Sequence, residues 1–182
     1  MTTKHVIRGF DVVVVNTRSD IRTDDVLRRL DAAVGLIDQY TPHYARHLRR
    51  DFAGILVERY PCRGAFFPDS RTCMVELTFT VNPDFSDAQV ASTILHEGMH
   101  ARLFALGASL ELDQRARQER FCRRAEIEFG KLVPDGEAVV ARASGMLTHA
   151  DSEVAPEIDW TVAARRVAEA DAAARKKRKK RS

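Results

Sequence analysis

The sequence predicts an α+β fold in which a small, mostly antiparallel sheet is followed by two long helices. Three observations lead there. Phe10 to Asn16, FDVVVVN, is a short continuous β-branched run, the pattern of a buried strand. Thr72 to Val81, TCMVELTFTV, alternates: Val75, Leu77, Phe79 and Val81 fall on one face, Met74, Glu76, Thr78 and Thr80 on the other. Immediately afterwards the apolar period changes from two to about 3.6 and stays there through two successive segments.

The elements follow in order. Between the first strand and the middle of the chain, Val26, Leu30, Ala33, Val34 and Ile37 recur at helical spacing and predict an amphipathic helix over 24–40. Thr41-Pro42 reads as an N-cap with proline at the first helical position, opening a second helix to about Asp51. Gly54 to Tyr60, GILVERY, is expected as a strand that pairs with the alternating segment in a hairpin, a crossover being the alternative. The residues Pro61-Cys62-Arg63-Gly64 and Pro68-Asp69-Ser70 carry turn chemistry. Ser86 with Gln89 forms a capping-box pattern, Phe85 and Val90 occupy the staple positions, and Gly107 suits the position after a helix end; together they bound a helix over 87–106. The next helix begins between Ser109 and Gln114 and runs to Leu132 before Pro134-Asp135-Gly136. A short helical stretch near 138–147, an acidic linker to Asp159 and an Ala-rich helix from Thr161 to about Ala174 complete the chain. The expected division is one domain over 1–150 and a helical, basic, partly disordered tail over 151–182.

Charge is distributed unevenly. The run Arg175 to Arg181 carries seven positive charges against a net +3 for the whole chain, so the remainder is mildly acidic. No apolar run approaches the roughly 20 residues needed to span a bilayer. The N-terminus has no pattern of a secretion signal, so a cytoplasmic location is expected. Three cysteines, Cys62, Cys73 and Cys122, have no Cys-x-x-Cys spacing and read as reduced thiols, with Cys62 and Cys73 able to face one another across the expected hairpin.

The chemistry-bearing stretch is Ile94 to Leu103, ILHEGMHARL. Residues i and i+4 lie one above the other on a helix, so His96 and His100 can present two imidazoles to one ion, while Glu97 is turned about 100° away and is free to act as a base. This is the HExxH pattern of zinc sites. A third ligand is required. Position 106 is Leu, which rules out a histidine six residues on. Glu119 gives HExxH-x18-E and lies in the middle of an otherwise mostly apolar stripe, where an unpaired carboxylate costs several kcal/mol to bury. Glu111 and Glu126 are the other candidates, and a salt bridge of Glu119 to Arg115, Arg120 or Arg123 is the simpler alternative.

HEGMH followed by Glu119 resembles the gluzincin group of zinc metallopeptidases, over roughly residues 50–134. The resemblance implies a compact zincin-like, minimal gluzincin fold with an active-site helix and a glutamate helix. It implies a Zn2+ cofactor held by His96, His100 and Glu119, and hydrolysis of peptide bonds in a peptide or protein substrate. Glu97 would activate the water on the zinc. The pattern departs from that group at Arg123, where an acidic partner for a ligand histidine is usual; Glu126 or Glu76 is the expected replacement. The oxyanion donor usual in the group has only His149 as a counterpart here. The polar edge of TCMVELTFT would hold an extended peptide. Two other readings stand beside this one: a catalytically weak zinc-binding regulatory protein, and a helical adaptor whose basic tail contacts nucleic acid or an acidic partner through charge alone.

Overall fold

The computed structural model describes residues 1–108, 112–154 and 159–179, and within these all side chains but those of 112, 113, 152, 154 and 174–179. The chain opens with a hairpin. Strand β1 (Thr2–Ile7) pairs antiparallel with β2 (Phe10–Val15), from Thr2 opposite Val15 to Ile7 opposite Phe10. Arg8 and Gly9 form the two-residue turn with φ of +48° and +84°, the positive pair that matches strand twist. Strand β1 carries no apolar alternation because it is an edge strand with only Ile7 buried. Sequence periodicity therefore found β2 and missed its partner.

Helices α1 (Thr23–Tyr40) and α2 (Pro42–Asp51) connect β2 to β3 (Gly54–Glu58), which lies parallel to β2, as a helical crossover requires. Pro42 opens α2 as expected, but Thr41 does not cap it. Its hydroxyl donates backward to the carbonyl of Ile37 at 3.2 Å.

The hairpin expected next does not form between the predicted partners. A short strand, β4 (Gly64–Phe67), intervenes and pairs antiparallel with β5 (Thr72–Glu76), while β5 lies parallel to β3. The five strands run in the order β1-β2-β3-β5-β4. The sheet is thus mixed, with two antiparallel and two parallel pairings rather than mostly antiparallel ones. Strand β5 is also shorter than the alternating segment. Glu76 ends it, its carboxylate accepting from the backbone N–H of Phe79 at 2.6 Å to cap the one-turn helix α3 (Leu77–Val81). Cys73 through Leu77 are all buried, so the alternation of TCMVELTFTV does not separate a wet from a dry face. Here local side-chain capping overrides strand propensity.

Helix α4 (Asp87–Ala105) is bounded as the sequence predicts. Ser86 Oγ accepts from the N–H of Gln89 at 3.3 Å, and Gln89 returns the bond to the N–H of Ser86 at 2.9 Å. Gly107, at φ +78°, closes the other end. Arg29 of α1 fixes the entry, reaching the carbonyl of Thr80 at 3.0 Å and Asp87 at 2.6 Å. From Ala88 to Met99 nearly every side chain of α4 is buried, since the helix is packed by α1, α2 and the sheet. Gly98 is the point of closest approach: a Cβ there would stand 1.8 Å from Cδ2 of Leu48 on α2.

Helix α5 (Leu112–Leu132) runs back along α4, and α6 (Glu137–Leu147) packs on it. After α7 (Asp151–Val154), α8 (Trp160–Lys179) returns to the body, where Asp171 pairs with Arg18 at 3.1 Å and with Arg59 at 3.0 Å. Lys180 to Ser182, and the side chains of the basic run before them, lie outside the described residues, as does Glu111. Among the described residues no helix is long and apolar enough to cross a membrane.

Candidate metal centre

Antiparallel packing of α4 and α5 brings the HEGMH segment opposite the stripe that carries Glu119. The Nε2 atoms of His96 and His100 are 3.2 Å apart. Glu119 faces both, Oε2 at 3.2 Å from His96 Nε2 and Oε1 at 3.3 Å from His100 Nε2. Donor atoms about 2.1 Å from one tetrahedral ion sit about 3.3 to 3.4 Å from one another; the two imidazole nitrogens have that spacing, and a different oxygen of the Glu119 carboxylate stands at that range from each of them. Arg123 reaches Glu119 only at 3.6 Å, and Arg120 turns away to the carbonyls of Leu147 and His149 and to Asp151.

Behind His96 stands the carboxylate that the Arg123 position lacks. Glu126 Oε1 is 2.5 Å from His96 Nδ1. Glu126 is fully buried, and Arg123 and Arg142 each bond it at 2.7 Å. A carboxylate on Nδ1 fixes the ring's orientation and leaves Nε2 for the ion. Glu76 has a different task. It binds Arg59 and Thr78 and caps α3, away from the imidazoles.

The electrostatics follow from burial and from these pairings. Burial opposes charge on His96, but hydrogen bonds to Glu119 and Glu126 outweigh it and push the imidazole up to about 10. Burial works against ionised Glu119 as well, yet the hydrogen bonds from His100 and His96 hold it far below the usual carboxylate range. Glu126 is likewise lowered against its burial, through His96, Arg142 and Arg123. Glu97 goes the other way: burial raises it, only partly offset by the two histidines. Glu119 is thus held ionised, and burial makes Glu97 the more basic of the two carboxylates.

These groups open onto a cavity of about 430 Å³ walled by α4, α5 and β4. Strand β4 comes close. A Cβ on Gly64 would lie 2.9 Å from Glu97 Oε1 and 2.6 Å from Thr93 Cγ2, so only glycine admits the strand beside the glutamate. Of the two edge strands, β4 is the one that lines this cavity, whereas the strand part of TCMVELTFT, β5, lies inside the sheet and the rest is helix α3. His149 does not line the cavity; it is exposed and lies 3.7 Å from Glu153.

One donor escaped the sequence reading. The Cys122 thiol lies, with the donor nitrogens of His96 and His100, in a group no more than 4.8 Å across. It is fully buried, and burial together with Glu119, Glu97 and Glu126 raises its pKa. The signal available in the sequence was the i+3 spacing from Glu119, which puts both on one face of α5. Cys73 is also buried and Cys62 lines the cavity; all three cysteines are free.

Compared with models of known families, with curated proteins and with solved structures, the chain gives no match in any of the three.

Proposed function

We propose that this chain is a zinc-dependent peptidase of gluzincin type, with His96, His100 and Glu119 as ligands and Glu97 as the general base. The observation that supports it most is the convergence of two imidazoles and one carboxylate from two different helices: the Nε2 atoms are 3.2 Å apart, and Glu119 faces His96 with Oε2 at 3.2 Å and His100 with Oε1 at 3.3 Å. Zinc, when bound, supplies Lewis-acid polarisation of a carbonyl and acidifies water. The protein's own part is to position and to move protons. Glu126 orients His96. Glu97, buried and raised, takes a proton from the attacking water and returns it to the departing amine. The free edge of β4 offers backbone groups to an extended peptide by strand addition. With His149 outside the cavity, charge on the carbonyl oxygen falls to the cavity arginines. The free thiols agree with a cytoplasmic setting, which belongs to the same reading.

Metal analysis and a peptide-library digest test it on three proteins. The native chain should retain about one zinc and cleave; Glu97→Gln should keep the metal and lose turnover; Glu119→Ala should lose most of the metal. Equal cleavage by the native chain and Glu97→Gln would reject the assigned base, and a native chain without metal affinity would reject the reading.

The Cys122 thiol favours a second reading, a closed, non-catalytic regulatory site with the thiolate as a further ligand. Cobalt substitution separates the two. A thiolate-to-cobalt charge-transfer band that disappears in Cys122→Ser supports the closed site, and its absence supports the open one.

A further inference from the structure

The cavity beside the trio is lined by four arginines, Arg63, Arg115, Arg123 and Arg142, against three glutamates, Glu97, Glu119 and Glu126. Pairing uses these charges unequally. Arg123 and Arg142 both bind Glu126, and Glu119 faces the two imidazoles. Arg63 and Arg115 have no carboxylate partner among the described residues. Arg63 lies over the rings of Phe79 and Phe85, at 5.2 and 4.4 Å, an arrangement that holds the guanidinium while leaving its N–H groups unspent. Arg115 stands one turn before Glu119 on α5, on the same helix face and at the end away from Glu126. The excess of positive charge is therefore not spread evenly. It lines the same cavity as His96, His100 and Glu119, and a bound dication would add to it.

We propose that the cavity selects peptides bearing a free carboxylate near the bond presented to Glu97, with Arg115 as the main contact and Arg63 beside it; this rests on the peptidase reading above. A guanidinium matches a carboxylate with two parallel N–H···O bonds, which neither an amide nor a hydroxyl reproduces at equal strength. The carboxylate can come from an acidic side chain or from the peptide's own C-terminus, and both present the same group.

Binding to the full-length, zinc-loaded Glu97→Gln protein, which holds a peptide without consuming it, provides the test. Three matched peptides are compared by fluorescence anisotropy: one with a single Glu and an amidated end, one with Gln and a free C-terminus, one with Gln and an amidated end. At least one of the first two should bind 10-fold or more tightly than the third, and the one that does identifies the source. Adding Arg115→Ala should erase most of that preference, adding Arg115→Lys should restore part of it, and adding Arg28→Ala, on an exposed face of α1, should leave it intact. Equal binding of the three peptides, no measurable binding of any, or a preference that survives Arg115→Ala overturns the proposal. Cleavage by the native chain is scored separately. Cleavage without carboxylate preference removes the selectivity and keeps the peptidase, whereas selective binding with no cleavage removes the peptidase alone.

Discussion

Glu126 and His96 meet at 2.5 Å across the α4–α5 interface, seven residues beyond the glutamate that faces the other side of the same ring. The imidazole is thereby held between two carboxylates, Glu119 toward Nε2 and Glu126 toward Nδ1. Two arginines, Arg123 and Arg142, compensate the inner one. Removing a single partner from such a buried set leaves charge uncompensated, which is why the arrangement can be tested one residue at a time.

Glu126→Gln should keep a hydrogen bond to Nδ1 but lose the charge. Zinc affinity should fall about 10- to 100-fold, the usual consequence of losing a carboxylate behind a ligand histidine. Competition titration against a chromophoric chelator measures it. Affinity within a factor of two of the native value would show that Glu126 serves the fold alone.

The metal-free protein should lose stability as pH rises from about 6.5 to about 10. His96 is raised in the folded state to about 10 from its ordinary 6.5, so its contribution is complete below the lower value and disappears as pH passes the upper one. Zinc reverses the trend, because it binds neutral imidazoles and competes with protons. Calorimetric melting with chelator and with zinc, across that interval, should give diverging curves. A metal-free Tm that stays flat would contradict the pairing of His96 with its two carboxylates.

Gly98→Ala should destabilise the protein by about 1 to 3 kcal/mol, the typical cost of overpacking a well-filled core. In an exposed helix the same change would stabilise by about 0.5 to 1 kcal/mol, so the sign alone decides. The clash is with Leu48 Cδ2, and Leu48→Ala should therefore offset part of the loss in the double variant. Urea unfolding of the four proteins gives the coupling directly. Strict additivity would mean that α4 moves away from α2 instead of pressing on it.

Much of the framework was legible from local patterns. The capping box at Ser86, the glycine at 107 and the proline at 42 each placed a helix end within a residue or so, because caps and turns are decided by contacts only a few residues apart. The i, i+4 spacing put His96 and His100 on one face for the same reason. Periodicity failed where burial was not one-sided. Strand β1 is mostly solvated and carried no apolar signal; β5 is buried from Cys73 on, and its apparent alternation continued into a helix that Glu76 caps.

By itself, then, the sequence determined the long helices, roughly where they stop, and that Glu97 has a histidine on each side of it in the motif; it did not determine the short helices α3 and α7. The tertiary structure alone decided which distant groups meet these residues. It chose Glu126 over Glu76 behind His96, set Cys122 beside the imidazoles, moved His149 out, and replaced TCMVELTFT by β4 at the open edge. Helix periodicity fixes the face a residue occupies, but the partner across that face depends on how two helices slide and cross. That is set by packing at points such as Gly98 against Leu48, which are 50 residues apart in the chain.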